Sequence, residues 1–356
     1  MKIAFIGDIA LVGVYGESNN SISKVSYLAS ILQGYDYVIA NLESPLTDRK
    51  KTMVPKSMHL RASTNNISIL KELNINAVSL ANNHTYDYGR NGLEDTINTL
   101  DSASIKWYGV DGKYLSECIC GERINVSGFC CLSTNGVGYD LNKKKGINTL
   151  TKDKLNRQIS RDIEEGALSV ISVHYGIEHT NYPAIEHIRL FSEACDRHPI
   201  IIHGHHPHQI QGLQQLGDSL VAYSLGNAIF DDTTSINKSL TVHLNEENRK
   251  SFVLGVVVEG GKIIDYSIQG YYIGIDAITP FEIEKELKDI SIPLESIDDE
   301  SVYSQRRFEQ YNSVLDTKFG KHDLKWLKAR INYYSLGAKL SSMIRSQKYN
   351  SIRKQF

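Results

Sequence analysis

The chain has 356 residues, 41% hydrophobic and 22% charged, with a formal net charge of −2. That length suits one large domain or two smaller ones, and the balance is that of an ordinary globular protein. It excludes the strongly basic character of a nucleic-acid binder and the charge excess of a disordered chain, and no run approaches the roughly 18 apolar residues of a membrane span.

KIAFIGD opens the chain as a short apolar strand closing on a glycine and an acid. No signal-peptide pattern precedes it, and the five cysteines form neither a disulfide framework nor a C-x-x-C knuckle. Both features lead to the expectation of a cytoplasmic protein with reduced thiols. SISKVSYLASILQGY has helical spacing at Val25, Leu28, Ile31 and Leu32 and stops at Gly34. YVIANLE is a second strand, NNISILKELNI a second helix, and NAVSLANNH a third strand, all three strands ending in polar residues. NGLEDTINTLDSA is a third helix, for which Asn91 and Glu94 predict a capping box. This alternation argues for an α/β layered domain.

After Lys113 the strands shorten, and a helix is expected over about 152–165. LSVISVHYG and HPIIIHG follow as buried strands separated by a helix. LVAYSLGN, SLTVHLNEE and KSFVLGVVVEGGKIIDYSIQGYYIG predict antiparallel strands, with Gly260 and Gly261 turning a hairpin. The whole would pack as two sheets with helices outside. Near Thr279 the composition shifts to charged, helix-like segments, dividing the chain into a domain over 1–278 and a helical extension over 279–356. From Lys318 onward ten basic residues stand against one acid, Asp323, with Trp326, Leu327, Ile331, Tyr334, Leu336 and Leu340 interleaved. The extension is either a cap packed on the domain or a set of basic amphipathic helices on the inner face of an anionic membrane.

IIHGHHPHQIQG, residues 201–212, places four of the twelve histidines within six positions. A lone histidine in an apolar run is usually a satisfied core residue. Several of them on a turn forced by Gly204 and Pro207, just past a strand, make a metal-site pattern. Elsewhere Asp8 follows IAFIG, Asn41 and Glu43 follow YVIA, and Asn82, Asn83 and His84 follow AVSLA. His174 and Glu178 follow LSVISV. Residues beyond the strand ends of an α/β sheet converge on one rim, where ligands bind. Carboxylate, imidazole and amide oxygen without thiolate suit Mn²⁺, Fe²⁺ or Zn²⁺. Two such cations about 3.5–4 Å apart would polarise a phosphoryl oxygen and hold a hydroxide as nucleophile. His84 would protonate the leaving oxygen, while Asp87 either holds its second nitrogen or only fixes the TYDYG turn. Arg61 is a candidate anion clamp, and Glu178 and Asn227 are candidate substrate contacts.

GDIAL, NLESPLT, LANNHTYDYGRNGLEDT, HYGIE, GHHPHQIQG and YSLGNAIF, in that order, resemble the motifs of the CapA poly-γ-glutamate capsule-biosynthesis family. That family looks like a branch of the calcineurin-like metallophosphoesterases, and the resemblance covers about residues 1–275. It implies a four-layer αββα sandwich with two divalent metals at the strand ends. By the same resemblance Asp8, Glu43, Asn83, His174, His206 and His208 would be ligands, with His205 an alternative to His206 and His84 the proton donor. Ala10 stands where the superfamily has a histidine, and Glu43 where it usually has a bridging aspartate. One metal is therefore expected to be held weakly or completed by His205. The implied activity is hydrolysis of a small-molecule or saccharide phosphate ester in capsule or surface-polysaccharide synthesis. Two rivals remain open: an amide or peptide bond as target, and a non-catalytic platform for polymer assembly.

Overall fold

A computed structural model describes every residue except 17–20, 142–144, 239, 296, 298 and 320–330, and all side chains of the rest except those of 315–319. Strands β1 (Lys2–Ile9), β2 (Tyr37–Leu42), β3 (Ala77–Ser79) and β4 (Lys106–Tyr108) run parallel. Between them lie helices α1 (Ser21–Lys24), α2 (Ser26–Leu32), α3 (Ile67–Glu72) and α4 (Gly89–Ser102). A second sheet starts with the hairpin of β5 (Leu115–Ile119) and β6 (Glu122–Cys130). It continues in parallel through β7 (Leu168–His174) and β8 (Ile200–His205), with α5 (Lys152–Glu164) and α6 (Ile185–Cys195) crossing over. β9 (Leu213–Leu216) and β10 (Ser219–Ala222) complete it, in the order β5-β6-β7-β8-β10-β9.

The chain then returns to the first sheet, where β11 (Asn227–Ile229) pairs with β1. A small ribbon of β12 (Thr233–Thr234) and β13 (Thr241–Val242) and the single turn of α7 (Glu246–Arg249) follow. β14 (Lys250–Glu259) and β15 (Lys262–Ile273) make the expected hairpin, turned by Gly260 and Gly261 at φ 59° and 74°. With β16 (Ile278–Pro280), the first sheet has the order β16-β15-β14-β1-β2-β3-β4.

Period-two alternation sorts the strand side chains onto two faces. Ile3, Phe5, Tyr37, Ile39 and Ala77 meet Ile124, Val126, Leu168, Val170 and Ile201 of the second sheet in one buried cluster. Ala4, Ile6, Val38, Ala40 and Val78 point the other way, onto Leu28, Leu32, Leu70, Leu93 and Leu100 of the helices. Ile171, Val173, Ile200 and Ile202 pack outward on Leu155, Ile159, Leu190 and Phe191. Helix, sheet, sheet, helix is the four-layer αββα order expected.

Three local expectations fail. α4 starts at Gly89 (φ 66°) with Tyr88 as an unbonded cap, so Asn91 and Glu94 lie inside the helix and form no capping box. LVAYSLGN is antiparallel only in part: β10 runs antiparallel to β9 but parallel to β8, and β11 runs parallel to β1. Among the described residues of SLTVHLNEE only Thr241 and Val242 form a strand, because Asn245 and Asn248 cap each other reciprocally and start α7.

The extension carries α8 (Glu284–Glu295), α9 (Glu300–Phe319) and α10 (Tyr333–Ile352). Ile283 and Leu287 enter the inter-sheet core, and Leu294 and Tyr303 the outer one. Tyr334 Oη donates to the Thr52 carbonyl at 3.0 Å, Arg345 to Asn135 Oδ1 at 2.6 Å, and Tyr349 stacks on His187. The described part of α10 is thus packed on the domain, whereas Lys321, Asp323, Lys325, Trp326, Leu327, Lys328 and Arg330 lie outside the described residues. No described helix is long and apolar enough to cross a membrane.

Candidate metal centre

Strand parity aims the donors. Ile3 and Phe5 face the second sheet and Ile6 the helices, which would send Asp8 to the helix side. Gly7 changes that: the Gly226 backbone comes so near that a Cβ on Gly7 would lie 1.9 Å from its oxygen. The register with β2 slips between Phe5 and Asp8, so Ile9 rejoins the helix-side cluster and Asp8 turns between the sheets. Asn41 alternates with Ala40 and Leu42, and Glu43 follows on its face. His174 continues the Leu168 and Val170 face of β7, as His203 and His205 continue the Ile201 face of β8. Past β8 the chain turns with His206 at φ 102° and His208 at φ 55°. Such conformations cost a non-glycine residue about 1–3 kcal/mol, and here they return both rings to the rim.

Two groups of donors result. In one, Asp8, His174 and His205 each offer an atom within 4.8 Å of the others; in the second, Glu43, His206 and His208 do so. Asp8 Oδ1 lies 3.9 Å from Nδ1 of both His174 and His205. Glu43 Oε1 lies 3.7 Å from His208 Nε2, 3.8 Å from His174 Nε2 and 3.9 Å from His84 Nε2. Asn83 Oδ1 is 2.8 Å from His174 Nε2. His205 and His206, alternatives in the sequence, both take part, one in each group.

The donor set fits divalent cations. Both Glu43 oxygens, His205 Nε2 and His206 Nδ1 are buried without a hydrogen-bond partner. A buried unpaired carboxylate is costly, and a cation among these atoms would remove that cost. Burial, reinforced by Asp8 and Glu178, pushes the Glu43 pKa well up, and burial also raises that of Asp8. Burial drives His174 and His205 well down and His206 to about 3, so these imidazoles are neutral, the form in which a ring nitrogen can ligate a cation. Two carboxylates, neutral imidazoles and an amide oxygen make a mixed N/O set suited to Mn²⁺, Fe²⁺ or Zn²⁺.

A second layer holds these groups. Asn41 Nδ2 donates to Asp8 Oδ1 at 2.7 Å, and Asn82 Nδ2 to the Leu42 carbonyl at 2.8 Å. The His206 N–H donates to Asp8 Oδ2 at 3.0 Å. His84 Nδ1 faces Asp87 Oδ2 at 2.6 Å; a carboxylate only accepts, so Nδ1 carries the proton and Nε2 is turned toward Glu43. Burial pushes the His84 pKa down to about 4. Burial opposes ionisation of Asp87, but the charges of His84 and Lys56 hold it at about 2.

Lys56 is the residue sequence reasoning missed. It is buried, and its Nζ donates to Asp87 Oδ1 at 2.5 Å and to the Asn83 carbonyl at 2.8 Å. Nothing in KTMVPKSMHLR marks it. His203 is the satisfied core histidine of the cluster, bonded to Ser172 Oγ and the Ile6 carbonyl, both at 2.9 Å. Asn227, expected at the substrate, is fully buried and occupied at both ends: Oδ1 faces His208 Nδ1 and Nδ2 donates to the Asn248 carbonyl, each at 2.9 Å. Its place is behind His208. Arg61 lines a groove with His59, Tyr88 and Asp232 and donates to the Thr47 carbonyl at 3.3 Å, apart from the donor cluster. Glu178 is partly exposed beside His179, 3.6 Å away.

Facing sheets whose strand ends present buried carboxylates and neutral imidazoles define an αββα protein with a candidate two-cation centre. The profile of the family described as bacterial capsule synthesis protein PGA_cap matches residues 2–232, and the chain belongs to that family. The PGA biosynthesis protein CapA of Bacillus subtilis (strain 168) is 29% identical over 244 residues, covering 65% of this chain and 63% of that protein. The capsule biosynthesis protein CapA of Bacillus anthracis is 30% identical over 245 residues, 65% and 59% of the two chains. The chain thus spans about six-tenths of the length of these relatives. Among solved structures, a putative 5′-nucleotidase from Staphylococcus aureus in complex with alpha-ketoglutarate is 11% identical, with a TM-score of 0.48 over 83% of this chain and 58% of that one.

Proposed function

We propose that the protein is a divalent-metal-dependent phosphoesterase acting on an intermediate of capsule or surface-polysaccharide synthesis. The observation that carries this reading is the buried Glu43 carboxylate, without a hydrogen bond at either oxygen and 3.7–3.9 Å from the ring nitrogens of His84, His174 and His208, drawn from both sheets. A non-catalytic platform has no need of such a cluster. Asp8, His174 and His205 would hold one cation, and Glu43, His206 and His208 a second, with Asn83 Oδ1 at their border. Bound cations supply Lewis-acid polarisation of a phosphoryl oxygen and an acidified water as nucleophile.

The chain's own residues do the rest. His84 presents Nε2 to the centre, and Asp87 fixes its ring from behind. A phosphoryl anion arriving at Nε2 favours the charged imidazole, opposing the burial that keeps it neutral in the free site. His84 then donates its proton to the departing oxygen, and Asp87 stabilises the imidazolium. Lys56 keeps Asp87 ionised and in register with the ring. The test is hydrolysis of p-nitrophenyl and bis(p-nitrophenyl) phosphate by chelator-stripped protein, before and after Mn²⁺ is restored. Activity that returns with Mn²⁺ and is lost in Glu43→Gln supports the proposal; a folded, metal-loaded protein inert toward both esters contradicts it.

A further inference from the structure

α10 is turned inside out for a surface helix. Its half-buried positions carry the small residues Ser335, Gly337, Ala338, Ser341 and Ser342 beside Tyr334, Arg345 and Tyr349, and a Cβ on Gly337 would lie 2.4 Å from that of Pro55. Its large aliphatic residues are left open to solvent: Leu336, Leu340, Met343 and Ile344 are 52–63% exposed. An ordinary surface helix does the reverse, apolar inward and polar outward. At 3.6 residues per turn these four side chains fall within a stripe about 100° wide, with Lys339 and Lys348 each about 40° beyond one edge.

Charge selects the occupant. Residues 331–356 contain Lys339, Arg345, Lys348, Arg353 and Lys354 and no Asp or Glu. Pairing this face with a second copy across a two-fold axis would bring two uniformly basic surfaces together. An apolar stripe edged by lysines instead matches a surface that is apolar just below a layer of negative charge. We propose that the outward face of α10 binds an anionic lipid bilayer. Leu336, Leu340, Met343 and Ile344 enter the headgroup–acyl boundary while Lys339 and Lys348 reach lipid phosphates. Leu336 and Lys339 also border a 560 Å³ cleft with Ser57, Ser133, Asn135 and Arg345, which this mode of binding places at the lipid surface.

The experiment is co-sedimentation of the full chain at low salt with phosphatidylcholine vesicles, alone or mixed with phosphatidylglycerol. The mixed vesicles should bind and the neutral ones should not, and added salt should release the protein. Leu340→Glu with Met343→Glu should abolish binding at an unchanged melting temperature, because both side chains are exposed. Lys339→Ala with Lys348→Ala should weaken it roughly tenfold or more, as two lysines near an anionic surface would. No sedimentation with mixed vesicles overturns the proposal, and so does sedimentation that the glutamate pair leaves intact. A concentration-dependent dimer that the glutamate pair dissolves, in a protein that ignores vesicles, would assign the face to a second copy instead.

Discussion

His84 Nδ1 lies 2.6 Å from Asp87 Oδ2, and the same oxygen accepts the Leu60 N–H at 2.8 Å. The carboxylate is pinned by the backbone before it pins the ring, so the imidazole has one orientation.

That relationship makes His84 separable from the metal ligands. His84→Ala should lower kcat by about 10²–10⁴-fold, near the lower limit for an activated aryl ester that needs little protonation. Metal content measured on the same sample should not change. If the substitution strips the metal, His84 is a ligand and its assigned role is wrong.

Lys56 and Asp87 form a buried ion pair at 2.5 Å. Removing one partner leaves the other charge unpaired, which typically costs about 3–5 kcal/mol. Lys56→Met should therefore destabilise the fold strongly in denaturant titrations, and adding Asp87→Asn should recover part of the loss. Strictly additive effects would show that the pair is not coupled.

His187 gives acid sensitivity a source outside the candidate centre. It is buried among Tyr175, Phe191, Tyr349 and Phe356, and burial lowers its pKa from 6.5 to about 4. As pH falls through this window the unfolded chain takes up the proton first. The contribution is complete above pH 6.5 and is lost toward pH 4, by about 1.4 kcal/mol per pH unit. His187→Phe should flatten the stability profile by that slope between those limits and leave it unchanged above pH 7.

Truncation at residue 317 removes α10 and uncovers the His187 ring face that Tyr349 and Phe356 pack against. The melting temperature should fall by a few degrees, at about 1–2 °C per kcal/mol for a chain of this size. An unchanged value would mean that the helix is not docked in solution.

The strand ends at Asp8, Glu43 and His174 were legible because each apolar run stops at a polar residue, and such ends share a rim in any layered α/β sheet. The histidine cluster was legible by density alone. Its internal assignment was not, because the positive φ at His206 and His208 decides where each ring points and leaves no trace in hydrophobic periodicity. Periodicity also carries no strand direction, which is why the parallel pairings of β10 with β8 and of β11 with β1 were not expected. Lys56 was invisible for another reason. It reaches the centre from an aperiodic loop, and its partner lies 31 positions away. α10 hid its character because much of its inward face is serine, glycine and alanine, which hydropathy patterns pass over, beside the polar contacts of Tyr334, Arg345 and Tyr349.

Elemental analysis of purified protein after incubation with Mn²⁺, Fe²⁺ or Zn²⁺ and removal of excess metal tests the account most directly. The wild type should retain divalent metal, at between one and two ions per chain given Ala10. Asp8→Ala should lose the ion grouped with His174 and His205, and Glu43→Ala the one grouped with His206 and His208. A folded wild-type protein that stays metal-free with all three cations would contradict the account.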